Sequence, residues 1–281
     1  MANDIMNFDR CDSFVEAFER TIDNPVRNSS KVYYTGVDLG TACVVLAVLD
    51  ENRVPAAGAY RYADVVRDGM VVDYIGAVRI VRELKAEIEE KLGCELLYAA
   101  AAIPPGTELT DAGAVKNVVQ AAGFEITNIT DEPTAANNLL GITDGAVIDI
   151  GGGTTGVSII ENGRVTATGD EATGGTHFTL VIAGAYKMSF DDAEAYKKDP
   201  KNHAEILPAV QPVMEKIASI IEKITENYCI EQLVLVGGSS CFTGIEKVIE
   251  RTTGIRTVKP HNPMFVTPLG IALGCTDRIM Y

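Results

Sequence analysis

Two hydrophobic periods alternate along the chain and divide it into elements. Over residues 4–21, Ile5, Phe8, Phe14, Val15 and Phe18, with Ile22 just beyond, fall at mostly helical spacing, which predicts an amphipathic N-terminal helix. Its apolar face is expected to pack on the body of the protein; docking to a partner is the other use of such a face. The helix stops before Asn24-Pro25, and NPVRNSSK is a linker. The stretch YYTGVDLGTACVVLAVLDENRV then gives a strand to Asp38, a tight turn at Leu39-Gly40-Thr41, a second strand and a hairpin at Glu51-Asn52. Residues 77–92 put Val78, Val81, Leu84, Ile88 and Leu92 on one helical face, with Lys85 and Glu89 as an i,i+4 pair on a solvated acidic flank. LLYAAAAI is an apolar strand leading into Pro104-Pro105-Gly106. A helix over 111–122, N-capped by Thr110 or Asp111, a strand near 126–129, and a helix opened by Pro133 complete the first half.

The second half restarts on the same pattern. DLGTACVVLAVLDENRV begins at Asp38 and DIGGGTTGVSIIENGRV at Asp149. Both open Asp-aliphatic-Gly, and both reach Arg-Val at the same distance, Arg53-Val54 and Arg164-Val165. A helix over 211–228, the strand, glycine turn and helix of QLVLVGGSSCFTG, and a last helix from about Pro268 follow. Such a repeat predicts a duplicated α/β unit facing itself across a cleft. The expected division is an N-terminal helix and linker at 1–30, a first lobe at 31–145 plus 262–281, and a second lobe at 146–261.

The repeat also suggests chemistry. Each Asp ends a strand aimed at the cleft, and each glycine-rich turn offers backbone N–H groups with no Cβ in the way, which makes an anion-binding nest. Thr41, Thr154 and Thr155 add hydroxyl donors. Two carboxylates would repel a phosphate on their own; they make sense if Asp38 and Asp149 hold a hydrated Mg²⁺ through water. Neither a P-loop nor a dinucleotide-binding fingerprint occurs in the sequence.

Composition narrows the choice further. The chain has 281 residues, 47% of them hydrophobic, enough for two sizeable cores. A net charge of −15 disfavours nucleic acid and anionic membrane surfaces. No apolar run approaches the roughly 18 residues of a membrane helix, and MANDIMNFDR is unlike a signal peptide, so a cytoplasmic location is expected. The six cysteines form no CxxC pair and are expected to be reduced and mostly buried, Cys241 as a small buried filler. Of the three scattered histidines, His177 is expected at the cleft as a hydrogen bonder and His203, in KKDPKNHAE, in solvent. Tyr33, Tyr34, Tyr60 and Tyr62 alternate as packing residues of strands.

Five motifs in order resemble the actin-like ATPase superfamily of actin, DnaK-type chaperones and sugar kinases. GVDLGTA resembles its first phosphate loop, DEPTAA its first connecting helix, DIGGGTT its second phosphate loop, LVGGSS its adenosine loop, and TPLGIALG its second connecting helix. The resemblance implies a two-lobed actin-like, ribonuclease H-like fold with small or absent outer insertions. It implies ATP or ADP with Mg²⁺ oriented by Asp38 and Asp149, and phosphates held by Gly40, Thr41, Gly151, Gly152, Gly153, Thr154 and Thr155. Glu132 would stand near the water and metal shell, Gly174 and Gly175 near ribose or phosphates, and Gly237, Gly238 and Ser239 over the adenosine. Essentially end to end, through VVRDGMVVDYIGAVRIVRELK and GGTHFTLVIAGAY, the nearer resemblance is to the EutJ family of ethanolamine-utilisation operons. This implies a chaperone or assembly factor working with ethanolamine-utilisation enzymes or shell proteins of a bacterial microcompartment. Three departures bear on turnover: the lobe insertion carrying a catalytic lysine in the chaperones has little room here, Cys241 replaces the arginine that stacks on adenine, and Thr176-His177 follow the later glycine pair. A slow ATPase, a pure nucleotide switch and a non-hydrolysing scaffold all stay open. A small-molecule kinase and a filament former are the remaining alternatives on this fold.

Overall fold

The computed structural model describes residues 8–67, 69–106 and 109–277. Helix α1 (Asp9–Asp23) is followed by strands β1 (Tyr34–Leu39), β2 (Cys43–Leu49) and β3 (Pro55–Tyr62), a small hairpin of β4 (Val66–Arg67) and β5 (Met70–Val71), and α2 (Tyr74–Leu92). Then come β6 (Tyr98–Ile103), α3 (Leu109–Ala121), β7 (Glu125–Asp131) and α4 (Glu132–Leu140). The second half has β8 (Gly145–Ile150), β9 (Thr155–Glu161), β10 (Arg164–Glu171), α5 (Gly175–Tyr186), α6 (Phe190–Lys198) and α7 (His203–Thr225). It ends with β11 (Gln232–Val236), α8 (Ile245–Thr253), β12 (Arg256–Val258) and α9 (Val266–Gly274).

The sequence repeat is a repeat of topology. One five-stranded sheet runs β3-β2-β1-β6-β7 and the other β10-β9-β8-β11-β12, position for position the same. In each, the first hairpins are antiparallel and the later strands parallel. Asp38 pairs with Val45 and Asp149 with Gly156, so the two carboxylates occupy equivalent places at the ends of β1 and β8.

Strand periodicity assigns the faces. Val44, Leu46 and Val48 of β2 join α2 and α3 in one outer core, whereas Val45, Ala47 and Leu49 point the other way into a core shared by both sheets. The second sheet buries Ile148, Ile150, Val157 and Ile159 against α5, α7 and α8. Between the sheets lie α4 and α9, which cross. At the crossing a Cβ on Gly270 would stand 2.0 Å from the Ala135 carbonyl oxygen, so only glycine lets the two backbones approach this closely.

Local signals explain most boundaries. The Asp73 carboxylate accepts from Gly76 N–H at 2.9 Å to open α2, and Gly93, at φ 76°, closes it. Asp131 accepts from Thr134 N–H at 2.9 Å to cap α4. Arg53 sits at φ 61° in the first hairpin, stacks on Tyr34 at 3.5 Å and donates to the Cys275 carbonyl at 2.6 Å, beyond the end of α9.

Several expectations change. Helix α7 starts at His203, eight residues before the expected start, and runs through Pro208 and Pro212. Its buried stripe of Ile206, Val210, Met214, Ile217 and Ile221 outweighs the hydrogen bonds the prolines forgo. Only Cys11 and Cys275 are buried; Cys229 and Cys241 are exposed. Tyr33 and Tyr34 are core residues, but Tyr60 and Tyr62 lie at the exposed end of β3, beyond the cover of α1 and α2. Helix α1 packs on the body as expected, burying Val15 and Phe18, although residues 4–7 of its expected span lie outside the described residues. So do the side chains of Thr110 and Asp111, the expected caps of α3.

Candidate functional site

The two strand-ending turns meet in the cleft between the sheets. A Cβ on Gly152 would stand 2.8 Å from the Ala42 Cβ, so the second turn reaches the first only because it lacks a side chain there. Gly237, at φ 87°, closes in from β11, where a Cβ would fall 2.2 Å from Asp149 Oδ1. These turns and Glu132, at the start of α4, enclose a cavity of about 90 Å³. Asp38, Gly40, Thr41, Gly151, Gly152, Gly153, Thr154, Gly237 and Gly238 all line it, as does Asp149.

Three acids facing one cavity are electrostatically unfavourable. Burial, with Asp149 adding to it, pushes the Asp38 carboxyl up to about 7. Burial raises Asp149 as well, although its bond from Thr267 Oγ1 at 2.5 Å works the other way. Glu132 is raised furthest by burial, then by Asp149 and Asp38. Among the described residues, none lining this cavity is Lys, Arg or His. The donor set therefore fits a cation that would neutralise it. Among the described residues no group of three His, Cys, Asp or Glu could hold a metal ion directly. A cation here would be held through its waters.

A second cavity, about 280 Å³, adjoins the first past Gly152 and Gly238. Its wall includes Ser239, whose hydroxyl donates to the Gly151 carbonyl at 2.7 Å and ties the β11 turn to the second hairpin turn. Opposite stands α6. Lys197 Nζ donates to Glu194 at 2.6 Å, to Thr179 at 2.8 Å and to the Gly175 carbonyl at 3.1 Å, with its side chain 14% exposed. Burial alone would raise Glu194, but Lys197 and the hydrogen bonds outweigh it and hold the carboxylate below its usual range. His203 is 5% exposed, contrary to the solvent position its polar neighbours suggest, because the first turn of α7 points its ring inward. It stacks on Phe242 at 4.1 Å and accepts from Thr243 N–H at 2.9 Å through Nδ1, which leaves Nε2–H to donate to the Lys197 carbonyl. Burial holds this imidazole below its ordinary pKa. At the cleft mouth a third cavity, about 690 Å³, includes His177, whose Nδ1 accepts from Gly174 N–H. There Lys198 lies 3.4 Å over the Tyr62 ring, joining the two lobes.

Three predicted residues stand behind the cavities. The N–H groups of Gly175 and Thr176 donate to the carbonyls of Gly151 and Gly152, so Gly174 and Gly175 brace the second turn from outside. Thr155 is fully buried and spends its hydroxyl on the Thr173 carbonyl. The sequence reading missed Glu194, Lys197 and Lys198. Their signal is an acid-base spacing of i, i+3, i+4 on α6, which a polar run disguises as a solvated face. It also missed Thr267, Asn262 and Met264, which line the cavities from the approach to α9.

Comparisons with known proteins bear on the fold and the family. The family model of the MreB/Mbl protein matches residues 58–191, and that of the type IV pilus assembly protein PilM matches residues 141–267. The structure of MreB 5 of Spiroplasma citri bound to AMPPNP aligns at a TM-score of 0.71 and 18% identity, over 86% of this chain and 95% of that one, a likeness of fold. The ethanolamine utilization protein EutJ of Salmonella typhimurium is 44% identical over 240 residues, 85% of this chain and 84% of the relative. The crystal structure of EutJ from Carboxydothermus hydrogenoformans aligns at a TM-score of 0.88 and 49% identity, over 93% of this chain and 97% of that one. A duplicated two-lobed actin-like fold, and kinship on this scale over most of its length, place the chain in the EutJ family of ethanolamine utilization proteins.

Proposed function

We propose that the chain binds ATP or ADP with Mg²⁺ between its lobes and serves ethanolamine utilisation as a nucleotide-dependent chaperone or assembly factor. The observation that carries the reading is the pair of adjoining cavities, one acidic and walled by glycine turns, the other larger and partly apolar. A polyphosphate and a cation suit the first, and a nucleoside suits the second. Asp38 and Asp149 would hold the cation through water, with Glu132 in the same shell. Gly40, Thr41, Gly152, Gly153 and Thr154 would present donors to phosphate oxygens. Gly237, Gly238 and Ser239 would cover the nucleoside, and Lys197 and Glu194 would face it from α6. Bound Mg²⁺ would supply the positive charge that the cavity wall lacks. MreB 5 of Spiroplasma citri, solved with AMPPNP and with ADP, supports a nucleotide in this fold. Ethanolamine-utilisation enzymes or shell proteins of a microcompartment are the partners proposed, on family membership.

A second reading has a specific observation behind it. With no basic residue among the described residues of the acidic cavity, hydrolysis lacks a side-chain cation to stabilise the transferred phosphoryl group. That favours a protein that binds nucleotide and releases phosphate slowly or not at all. Calorimetry with Mg-ATP and Mg-ADP, alongside phosphate release, on wild type and Asp149→Ala tests both. Binding weakened by the substitution supports the nucleotide site, and release lost with it supports turnover. Folded wild-type protein that binds neither nucleotide would sink the proposal.

A further inference from the structure

Helix α1 belongs to neither repeated lobe, yet it is seated against the segment that walls the ligand cavities. Phe18 is fully buried and meets Phe265 edge-to-face at 5.3 Å. The fit is close on the other side as well, since a Cβ on Gly58 of β3 would fall 2.4 Å from the Phe18 ring. Two acids of the same helix then reach the residues just before Phe265. Asp12 accepts from His261 N–H at 2.8 Å, and Glu19 accepts from the Asn262 side-chain amide.

Asn262 is the pivot of this contact. Its Nδ2 must face Glu19, because a carboxylate only accepts, and its Oδ1 therefore points the other way. That oxygen accepts from Met264 N–H at 3.2 Å and from the Cys241 thiol at 3.6 Å. Asn262, Met264 and Cys241 all line the larger cavity, and Met264 lines the acidic one too. The next residue, Pro263, accepts from Gly237 N–H at 3.1 Å, at the turn that closes over Asp149. Glu19 on α1 is thus one hydrogen bond from Asn262 in the cavity wall and two from Met264 and Cys241.

We propose that α1 is a positioning element of the cleft, acting through Glu19 on Asn262 and through Asp12 on His261. It fixes the 261–264 segment and so sets the affinity of the cavities that segment walls. The inference rests on the reading of the cleft as a nucleotide site, but the contact it describes is measurable without nucleotide. Glu19 and Asp12 are not ligand contacts; they act through Asn262 and the backbone.

The test compares full-length wild type, Glu19→Ala and Glu19→Gln. Mg-ADP affinity is read by calorimetry. The rate of Cys241 alkylation by iodoacetamide, without nucleotide, is read by peptide mass spectrometry, and thermal melting checks folding. Glu19→Ala is expected to weaken Mg-ADP binding about tenfold and to change the Cys241 rate several-fold. Glu19→Gln keeps an oxygen that accepts from Asn262 and should restore most of both. A helix that merely stabilises the fold would lower the melting temperature in Glu19→Ala and leave both other readouts alone, and that pattern overturns the proposal. If wild type binds no Mg-ADP, the nucleotide reading fails, while the alkylation rates still decide whether α1 positions the cavity wall.

Discussion

Replacing Asp38 by Asn should stabilise the cation-free protein at pH 8 and have only about a quarter of that effect at pH 4.5. Burial and the neighbouring Asp149 push the Asp38 carboxyl from its ordinary 3.8 to about 7. Because the folded value lies above the unfolded one, the native chain keeps a proton that the unfolded chain releases between roughly pH 4 and 7. The protonated site is fully favourable below that window, and its contribution is lost as pH rises through it. At about 1.4 kcal/mol per pH unit, the ionisation costs at most roughly 4 kcal/mol, and about half of that once water and side chains relax around a half-buried group. Asp149 and Glu132 are raised too and pull in the same direction. His203 pulls the other way: burial holds it below its ordinary 6.5, so its contribution grows as pH rises toward that value. The informative quantity is therefore the difference between variant and wild type, in which His203 cancels.

The measurement is urea unfolding in EDTA at several pH values from 4.5 to 8. The variant's advantage should grow between about pH 4 and 7 and level off near 2 kcal/mol above that. Adding Mg²⁺ or Mg-ADP should shrink it, because ligand stabilises only the form that binds it. A difference that stays flat with pH, or that favours wild type as pH rises, would show that the three acids do not share one unneutralised site.

Three further changes test other parts of the structure. Gly270→Ala should cost roughly 3 kcal/mol or more in urea unfolding, because its Cβ would meet the Ala135 backbone at 2.0 Å, while Gly184→Ala on α5, with nothing within 4 Å, should be neutral or stabilising by up to about 1 kcal/mol. Lys197→Met should weaken Mg-ADP binding at least about tenfold and, by leaving the half-buried Glu194 carboxylate with Lys198 as its remaining cation, destabilise the fold by roughly 1–2 kcal/mol in the same assay. Arg53→Ala removes the bond to the Cys275 carbonyl and the stacking on Tyr34, and should lower unfolding stability by about 2 kcal/mol.

The sequence made the repeat legible because strand-ending Asp, glycine turn and Arg-Val hairpin recur at fixed spacing, and fixed spacing becomes fixed register once the strands pair. It made α2 and α9 legible for a similar reason, since an apolar face or a uniformly apolar run needs only a neighbouring sheet. It hid what depends on two segments meeting. Nothing in KKDPKNHAE indicates that Lys197 and His203 point inward, because Thr179 on α5 and Thr243 before α8, which receive them, come from other parts of the chain. Thr267 was invisible for the same reason: its hydroxyl matters only because α9 crosses back to bring it to Asp149. Gly174 and Gly175 have a role that no motif indicates. The resemblance sets them near ribose or phosphates, and in the fold the N–H groups that open α5 press onto the carbonyls of the Gly151-Gly152 turn.

The two halves are alike where the cleft needs symmetry and different where it needs identity. Duplicated hairpins bring Asp38 and Asp149 together from opposite sheets, and two like charges at one point demand a third partner of opposite sign. That demand is common to any chain with this repeat. The asymmetry between the two halves lies outside the repeat. The first lobe is joined by α1, anchored through Phe18, Asp12 and Glu19. The second carries α6, whose Lys197 and Lys198 reach the larger cavity and Tyr62 of the facing lobe. Both additions converge on the same wall from opposite sides, α6 through Lys197 and α1 through Asn262. A ligand filling the larger cavity would therefore be sensed by a helix at each end of it. A partner that displaced α1 would act on the cleft without entering it.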